Sequence, residues 1–218
     1  MLCFASIFSS DYINALCDYI CWVVSFNGAS RLLWLSVLWF ILELIIRIIA
    51  RINISPQINN HEAESKDKGS WWLIALASSL MSGMILLVLH MRWDSDLPGY
   101  LFPIGISLMI LGLALRIYAV VSLGKFFTMK VIIFSNHHLV MDGPYKWLRH
   151  PSYTGILIAT IGFGIASGYL MVLFAFLVLL FFALGYRIYV EEKALGNEFG
   201  DEWFAYTTTR WMILPWIL

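Results

Sequence analysis

The chain has 218 residues, of which 61% are hydrophobic and only 13% are charged. Soluble domains carry about 25% charged residues, so this composition excludes a soluble enzyme and indicates an integral membrane protein. Fourteen Lys and Arg residues balance fourteen Asp and Glu residues. This balance excludes a basic nucleic-acid binder and an acidic disordered tail.

Cys3, Cys17 and Cys21 lie near the N-terminus, in a segment, residues 1–30, whose apolar stretches are short and interrupted by polar residues. Thiols without a nearby His make a poor metal site, and we predict neither a structural disulfide nor a bound metal. The segment itself is predicted to be an interfacial helix, with an additional membrane span as the alternative.

Three apolar runs follow within residues 31–121. A membrane-spanning helix needs about 20 apolar residues, and the runs at 32–49, 71–91 and 100–121 meet that requirement. The polar stretch between the first two runs, residues 53–70, contains Pro56 and mixed charges, and it predicts an exposed loop.

Residues 122–218 have a different pattern. Charged residues and His interrupt every apolar run from 122 to 150, so this long segment is predicted to lie at the membrane surface and to have a function. The runs at 156–165 and 170–184 predict a tight helical hairpin, and the chain turns polar from Arg187. The predicted fold is therefore an all-α polytopic bundle of about five transmembrane helices, with 122–218 as the catalytic region.

The basic residues indicate an orientation. The stretches 51–70, 122–150 and 187–218 carry ten of the fourteen Lys and Arg residues, whereas the opposite side of the predicted bundle has Arg31 and Arg92. The positive-inside rule then places the long segment, the C-terminal tail and the predicted cofactor pocket on the cytoplasmic face. Glycines in the third run and in the hairpin, Gly105, Gly112 and the run 162–168, predict close helix packing rather than a nucleotide loop.

Two motifs flank the hairpin. The first reads His137-x-Leu139-Val140-x-x-Gly143-x-Tyr145-x-x-x-Arg149-His150-Pro151-x-Tyr153-x-Gly155; the second reads Glu191-Glu192-x-x-Leu195, then Phe199-Gly200-x-x-Trp203-x-x-Tyr206, and ends from Arg210 to Pro215. Together they resemble the isoprenylcysteine carboxyl methyltransferase family, with Trp203 at a position where we expect Tyr. Taken singly, most of these residues fit an anchoring or helix-stabilising role; their joint spacing favours the resemblance.

The resemblance implies a membrane methyltransferase that uses S-adenosylmethionine. The cofactor pocket would include His137, Leu139, Val140, Gly143, Tyr145, Arg149, His150, Pro151, Tyr153, Glu191 and Glu192. The chemistry of these side chains agrees, because carboxylates accept hydrogen bonds from ribose hydroxyls or an amine, and Arg or His can bind the cofactor's carboxylate.

The predicted catalytic residues are Arg149, Arg187, Glu191 and Glu192. Either arginine could position an anionic acceptor and either glutamate could orient the cofactor, while exclusion of water and in-line placement supply most of the rate. A lipid-like or prenylated acceptor would enter from the bilayer. The alternatives are a phospholipid amine N-methyltransferase, an NADPH-dependent sterol-type reductase and a non-catalytic membrane protein.

Overall fold

The structure is a computed structural model, and it describes residues 28–58, 63–65, 70–91, 96–127, 132–134 and 139–214. The predictions for residues 1–27, for the three cysteines and for His137 lie outside the described residues.

The described residues form a helical bundle. Its helices are α1 (Gly28–Ile58), α2 (Ser70–Met91), α3 (Phe102–Leu123), α4 (Pro151–Ser167), α5 (Leu170–Phe199) and the short α6 (Asp201–Thr208), with 3-10 turns at Gly99–Leu101, Gly124–Phe126 and Gly143–Lys146. Two stretches among them are long and apolar enough to cross a membrane, Gly99–Leu123 and Leu170–Phe199, and Leu32–Ile46, Leu76–Val88 and Pro151–Ser167 are shorter apolar helices.

The loop between the first two helices differs from the prediction in two ways. Helix α1 continues through Pro56 to Ile58; a proline near the last turn removes one backbone donor, and the helix ends two residues later. Beyond it, β1 (Ala63–Ser65) pairs antiparallel with β2 (Ile132–Phe134). The β-branched Ile132 and Ile133 favour a strand, so one small sheet, which the sequence did not predict, accompanies an otherwise helical fold at this end of the bundle.

Helices α3 and α4 pack antiparallel with their backbones in contact. Gly112 faces Gly155 and Ala159, and one heptad away Gly105 faces Gly162 and Ala166; an added Cβ on either α3 glycine would clash with the facing backbone. The prediction that these glycines serve close helix packing is confirmed. This contact fixes the axial position of α4 relative to α3, and therefore the position of the first turn of α4.

Helix α5 is continuous well beyond the predicted apolar run. Its 30 residues rise about 45 Å, which exceeds a hydrocarbon core of about 30 Å. The buried stripe through Val172, Phe176, Leu180 and Leu184 continues along the same face to Arg187. The predicted change to a polar tail is therefore a change of composition within one helix, and the packed face of that helix places Arg187 in the interior.

The two ends of the bundle differ in chemistry. At one end, Gly168 (φ 87°) and Tyr169 connect α4 to α5, and Asp96 closes this turn by donating its backbone N–H to the Gly168 carbonyl oxygen (2.9 Å) and accepting from the Leu170 N–H (3.1 Å). The β1–β2 pair and the first turn of α4 lie at the other end, where the charged side chains gather.

Candidate active site

The entry to α4 is held by the C-terminal segment. The backbone N–H groups of Arg149 and His150 donate to the carbonyl oxygens of Trp211 (2.8 Å) and Met212 (3.0 Å). The Thr154 hydroxyl donates to the Ile213 carbonyl oxygen (2.5 Å). Pro151 occupies the first helical position, where its missing N–H costs no hydrogen bond. The chain that follows α6 therefore fixes the backbone of the Arg-His-Pro motif.

A first charged cluster joins this motif to α5. Glu192 accepts from Arg149 Nη1 at 2.5 Å, and its same oxygen lies 3.2 Å from His150 Nε2. Both partners of Glu192 come from the motif that precedes α4, 42 and 43 residues earlier in the chain. The Nε of Arg149 is buried and has no hydrogen-bond acceptor among the described residues, so the cluster retains an unused donor.

A second cluster lies one turn further along α4. The Tyr153 hydroxyl donates to Glu191 Oε2 (2.6 Å) and accepts from Arg187 Nε (3.3 Å). The Tyr153 ring also stacks on His150, with 5.4 Å between ring centroids and an interplanar angle of 18°. The four predicted catalytic residues therefore fall into two groups: Arg149 contacts Glu192 directly, whereas Arg187 and Glu191 are joined through the Tyr153 hydroxyl.

The remaining predicted residues surround the entry to α4. Tyr145 is buried, and its carbonyl oxygen accepts from the Tyr206 hydroxyl (3.3 Å) and from Arg210 Nε (3.0 Å). Burial raises the pKa of Tyr206 to about 12. Gly143 has φ of 59°, as the sequence allowed, and a Cβ there would meet Ser122 Oγ at 2.8 Å.

Leu139 and Val140 of the first motif and Trp203 of the second are the remaining motif residues near the site. Leu139 and Val140 are half-buried. Trp203 is buried and stacks on Tyr206 at 5.4 Å between ring centroids, so the departure from Tyr at this position supplies packing. No group of three or more His, Cys, Asp or Glu side chains within the described part of the chain could hold a metal ion.

An apolar cavity of about 270 Å³ begins at Tyr153 and Arg187 and extends between α1, α2, α4 and α5. Its apolar walls include Trp39, Met81, Ile85, Ile156, Phe163, Phe176, Leu180 and Leu184. The rings of Phe163 and Phe176 stack with 5.5 Å between their centroids. They lie away from the charged end, ten residues after Tyr153 on α4 and eleven residues before Arg187 on α5. Phe40 and Ser82 line the cavity and are exposed, so the cavity opens to the outside between α1 and α2.

Sequence reasoning missed two charged residues of this cavity. Glu43 of α1 and Arg116 of α3 both line it, with Arg116 Nε 2.9 Å from Glu43 Oε1. Arg116 also donates to Ser152 Oγ (3.0 Å). A signal was available, because ionisable residues within apolar runs are costly and mark functional sites. The sequence contains Glu43 within the first run and Arg116 within the third.

The fold and the site define a class of protein: a helical membrane protein in which a cluster of buried charges closes one end of an apolar cavity. Residues 105–197 match the model of the Isoprenylcysteine carboxyl methyltransferase (ICMT) family, which confirms the resemblance carried by the motifs. The matched stretch runs from α3 to the end of α5, so it includes Arg116 and both clusters and leaves out Glu43.

Similar proteins agree with this match. The protein-S-isoprenylcysteine O-methyltransferase of Schizosaccharomyces pombe is 31% identical over 149 residues, which cover 63% of each chain. Protein-S-isoprenylcysteine O-methyltransferase B of Arabidopsis thaliana is 35% identical over 104 residues, 47% of this chain and 53% of the relative. The chain thus spans 53% to 63% of the length of these relatives.

Part of the chain is also similar to a solved structure. It is that of the eukaryotic intramembrane Ras methyltransferase ICMT, isoprenylcysteine carboxyl methyltransferase, which superposes with a TM-score of 0.51 at 27% identity. The superposition covers 66% of this chain and 51% of the other.

Proposed function

We propose that this protein is an integral membrane O-methyltransferase that transfers a methyl group from S-adenosylmethionine to the carboxylate of an S-isoprenylcysteine. One observation carries the proposal. Tyr153 contacts the charged residues of α5 and also lines the apolar cavity, so a lipid tail and a charged reacting group can be bound on the two sides of one helical turn. The names of the similar proteins and the motif resemblance support the same chemistry.

The first cluster fits the cofactor. The buried Nε of Arg149 lacks an acceptor among the described residues, and the amino-acid carboxylate of S-adenosylmethionine would supply one in a charge-assisted hydrogen bond. Glu192, held by Arg149 and His150, has a second oxygen to accept from the cofactor's amine or ribose hydroxyls. The chemistry that the cofactor supplies is a methyl carbon on a sulfonium, which an acceptor oxygen takes while the sulfur keeps the bonding electron pair.

The second cluster fits the acceptor. Arg187 lies at the boundary between the charged cluster and the cavity, and its guanidinium would hold a carboxylate at that boundary. From Tyr153 to Phe163, α4 rises about 15 Å, which suits an extended isoprenyl chain. Neutralisation of a carboxylate by a sulfonium is favoured where water is excluded, and a carboxylate acceptor needs no general base.

The membrane arrangement belongs to the same proposal. Helices α1 to α5 would each cross the bilayer, with α4 and α5 as a hairpin and the active site at the cytoplasmic face. The bias of basic residues toward 51–70, 122–150 and 187–218 supports that side. The opening between α1 and α2 would admit the prenylated acceptor from the bilayer.

Calorimetric titration of the detergent-solubilised protein with S-adenosylhomocysteine tests the cofactor assignment. We expect micromolar binding in the wild type and at least about a tenfold loss of affinity in Arg149→Ala and Glu192→Gln, since each removes a charged hydrogen-bond partner. The controls are Lys146→Ala, which removes an exposed positive charge, and Glu202→Gln, which removes an exposed negative charge. Both variants should bind S-adenosylhomocysteine as the wild type does.

Methyl transfer to N-acetyl-S-farnesylcysteine, followed with radiolabelled S-adenosylmethionine, tests the acceptor. Labelling of this acid supports the proposal, and labelling of phosphatidylethanolamine instead would make the protein a phospholipid amine methyltransferase. A folded preparation that binds NADPH and not S-adenosylhomocysteine would overturn methyl transfer altogether.

A further inference from the structure

The charged end of the cavity contains an ion pair that the proposed reaction does not use. Glu43 contacts Arg116 through both carboxylate oxygens, at 2.9 Å from Nε and 3.2 Å from Nη2. The side chains are 16% and 7% exposed. A buried arginine without a counter-charge is strongly destabilising, so Glu43 keeps Arg116 in place in a largely apolar cavity.

The pair is incompletely bonded. The Arg116 Nε–H lies within ion-pair distance of Glu43, yet it is out of line for a hydrogen bond, and this buried donor has no acceptor among the described residues. A carboxylate that approached Arg116 from the cavity would therefore find a donor that Glu43 leaves unsatisfied. The geometry allows a second carboxylate to compete for this guanidinium.

Arg116 also lies beside the proposed acceptor site. It is held by Ser152, and Arg187 is held by the next residue, Tyr153. Both arginines line the cavity, so the two guanidinium groups flank the first turn of α4. An acceptor carboxylate bound at this end of the cavity would therefore share the cavity with Arg187, Arg116 and the Glu43 carboxylate.

We propose that Glu43 is a specificity-determining residue that competes with the acceptor carboxylate for Arg116. The inference rests on the proposed function. The acid must displace or share the Glu43 interaction in order to bind, and its methyl ester, which is neutral, has no charge with which to hold Arg116. Glu43 therefore returns to Arg116 once the ester forms, because the neutral ester does not compete for the guanidinium.

The test compares two ligands on one variant. Binding of N-acetyl-S-farnesylcysteine and of its methyl ester is measured on solubilised wild type and on Glu43→Gln, in the presence of S-adenosylhomocysteine. Removal of the competing charge should tighten binding of the acid by about tenfold and change binding of the ester by less than about twofold. Glu202→Gln removes an exposed carboxylate of α6 that does not line the cavity, and it should alter the binding of neither ligand.

Loss of the counter-charge lowers the stability of Glu43→Gln, and the acid should restore more of its thermal stability than it adds to the wild type. If that variant does not fold, Glu43→Gln combined with Arg116→Gln removes both charges and should bind the acid and the ester with a ratio no higher than in the wild type. An unchanged acid-to-ester ratio in Glu43→Gln, or equal weakening of both ligands, would overturn the inference.

The two proposals fail separately. Wild-type protein that neither binds S-adenosylhomocysteine nor methylates the acid contradicts the proposed function. Wild-type protein that does both, combined with a Glu43→Gln variant whose preference for acid over ester is unchanged, contradicts the role of Glu43 alone.

Discussion

Tyr153 places one hydroxyl between two charged side chains of the next helix. It donates to Glu191 and accepts from Arg187, and its ring lies against His150 and along the cavity wall. Since Glu191 and Arg187 are four residues apart on α5, an intervening hydroxyl sets the direction of both. Positioning of Arg187, the arginine that we propose binds the acceptor, thus depends on a residue that carries no charge.

Tyr153→Phe removes that hydroxyl and keeps the ring. We expect KM for the acceptor to rise by about tenfold or more, because hydrogen bonds to charged groups contribute roughly 1.5–3 kcal/mol, while the affinity for S-adenosylhomocysteine stays within about twofold. Steady-state kinetics and calorimetry measure the two quantities. Tyr189→Phe alters an exposed tyrosine of α5 and serves as the control; equal losses of both affinities in Tyr153→Phe would contradict the division into two clusters.

At the scale of elements, the contact between α3 and α4 sets the geometry of the site. Glycines facing each other across the two backbones leave no room for a side chain, so the helices approach more closely than larger residues would permit. This approach brings Arg116 of α3 within reach of Ser152 at the first turn of α4. This glycine seam, formed by Gly105, Gly112, Gly155 and Gly162, therefore helps to position Arg116 and Ser152 in the candidate site.

Gly112→Ala tests the seam. The new Cβ would meet the backbone of Ala159, and because neither backbone can move independently, we expect a loss of about 1–3 kcal/mol of stability together with weaker acceptor binding. Thermal unfolding in detergent measures the first effect. Gly185→Ala adds the same methyl group where nothing lies within 4 Å and should leave the melting temperature unchanged or slightly higher. Equal behaviour of the two variants would show that the seam tolerates separation.

At the scale of the whole molecule, the bundle has a charged end and an end that carries the α4–α5 turn. The β1–β2 pair, both charged clusters and α6 belong to the first end, whereas Tyr100 and Gly168 belong to the second. If the bundle crosses the bilayer as proposed, these two groups of residues face opposite sides of the membrane.

Single cysteines introduced at Ser65, Asp201 and Tyr100, in a background with Cys3, Cys17 and Cys21 changed to Ser, report the orientation. In right-side-out and inverted vesicles, an impermeant maleimide should label positions 65 and 201 from the cytoplasmic side and position 100 from the other side. Labelling of all three from one side would contradict the transmembrane arrangement, and the reverse pattern would place the active site outside the cytoplasm.

Much of the fold was predictable, because a helix that crosses a membrane needs a long apolar run, and such runs can be read from hydropathy. The apolar runs predicted helices where α2 and α3 occur, and the glycines of α3 and α4 predicted their close contact. The end of α1 and the strand pair were not predictable from hydropathy, which cannot detect a helix that continues through polar residues to Ile58 or two loops that meet at one end of a bundle.

Composition and motif spacing were enough to predict an apolar, membrane-type chain and the candidate site residues Arg149, Tyr153, Arg187, Glu191 and Glu192. Which side chains contact each other depends on how the helices pack. Arg149 pairs with Glu192 and Arg116 with Glu43 across 43 and 73 residues of chain. Such pairings depend on how each helix is rotated and how far it slides along its neighbour, which side-chain packing across the whole bundle determines and local residue spacing does not encode.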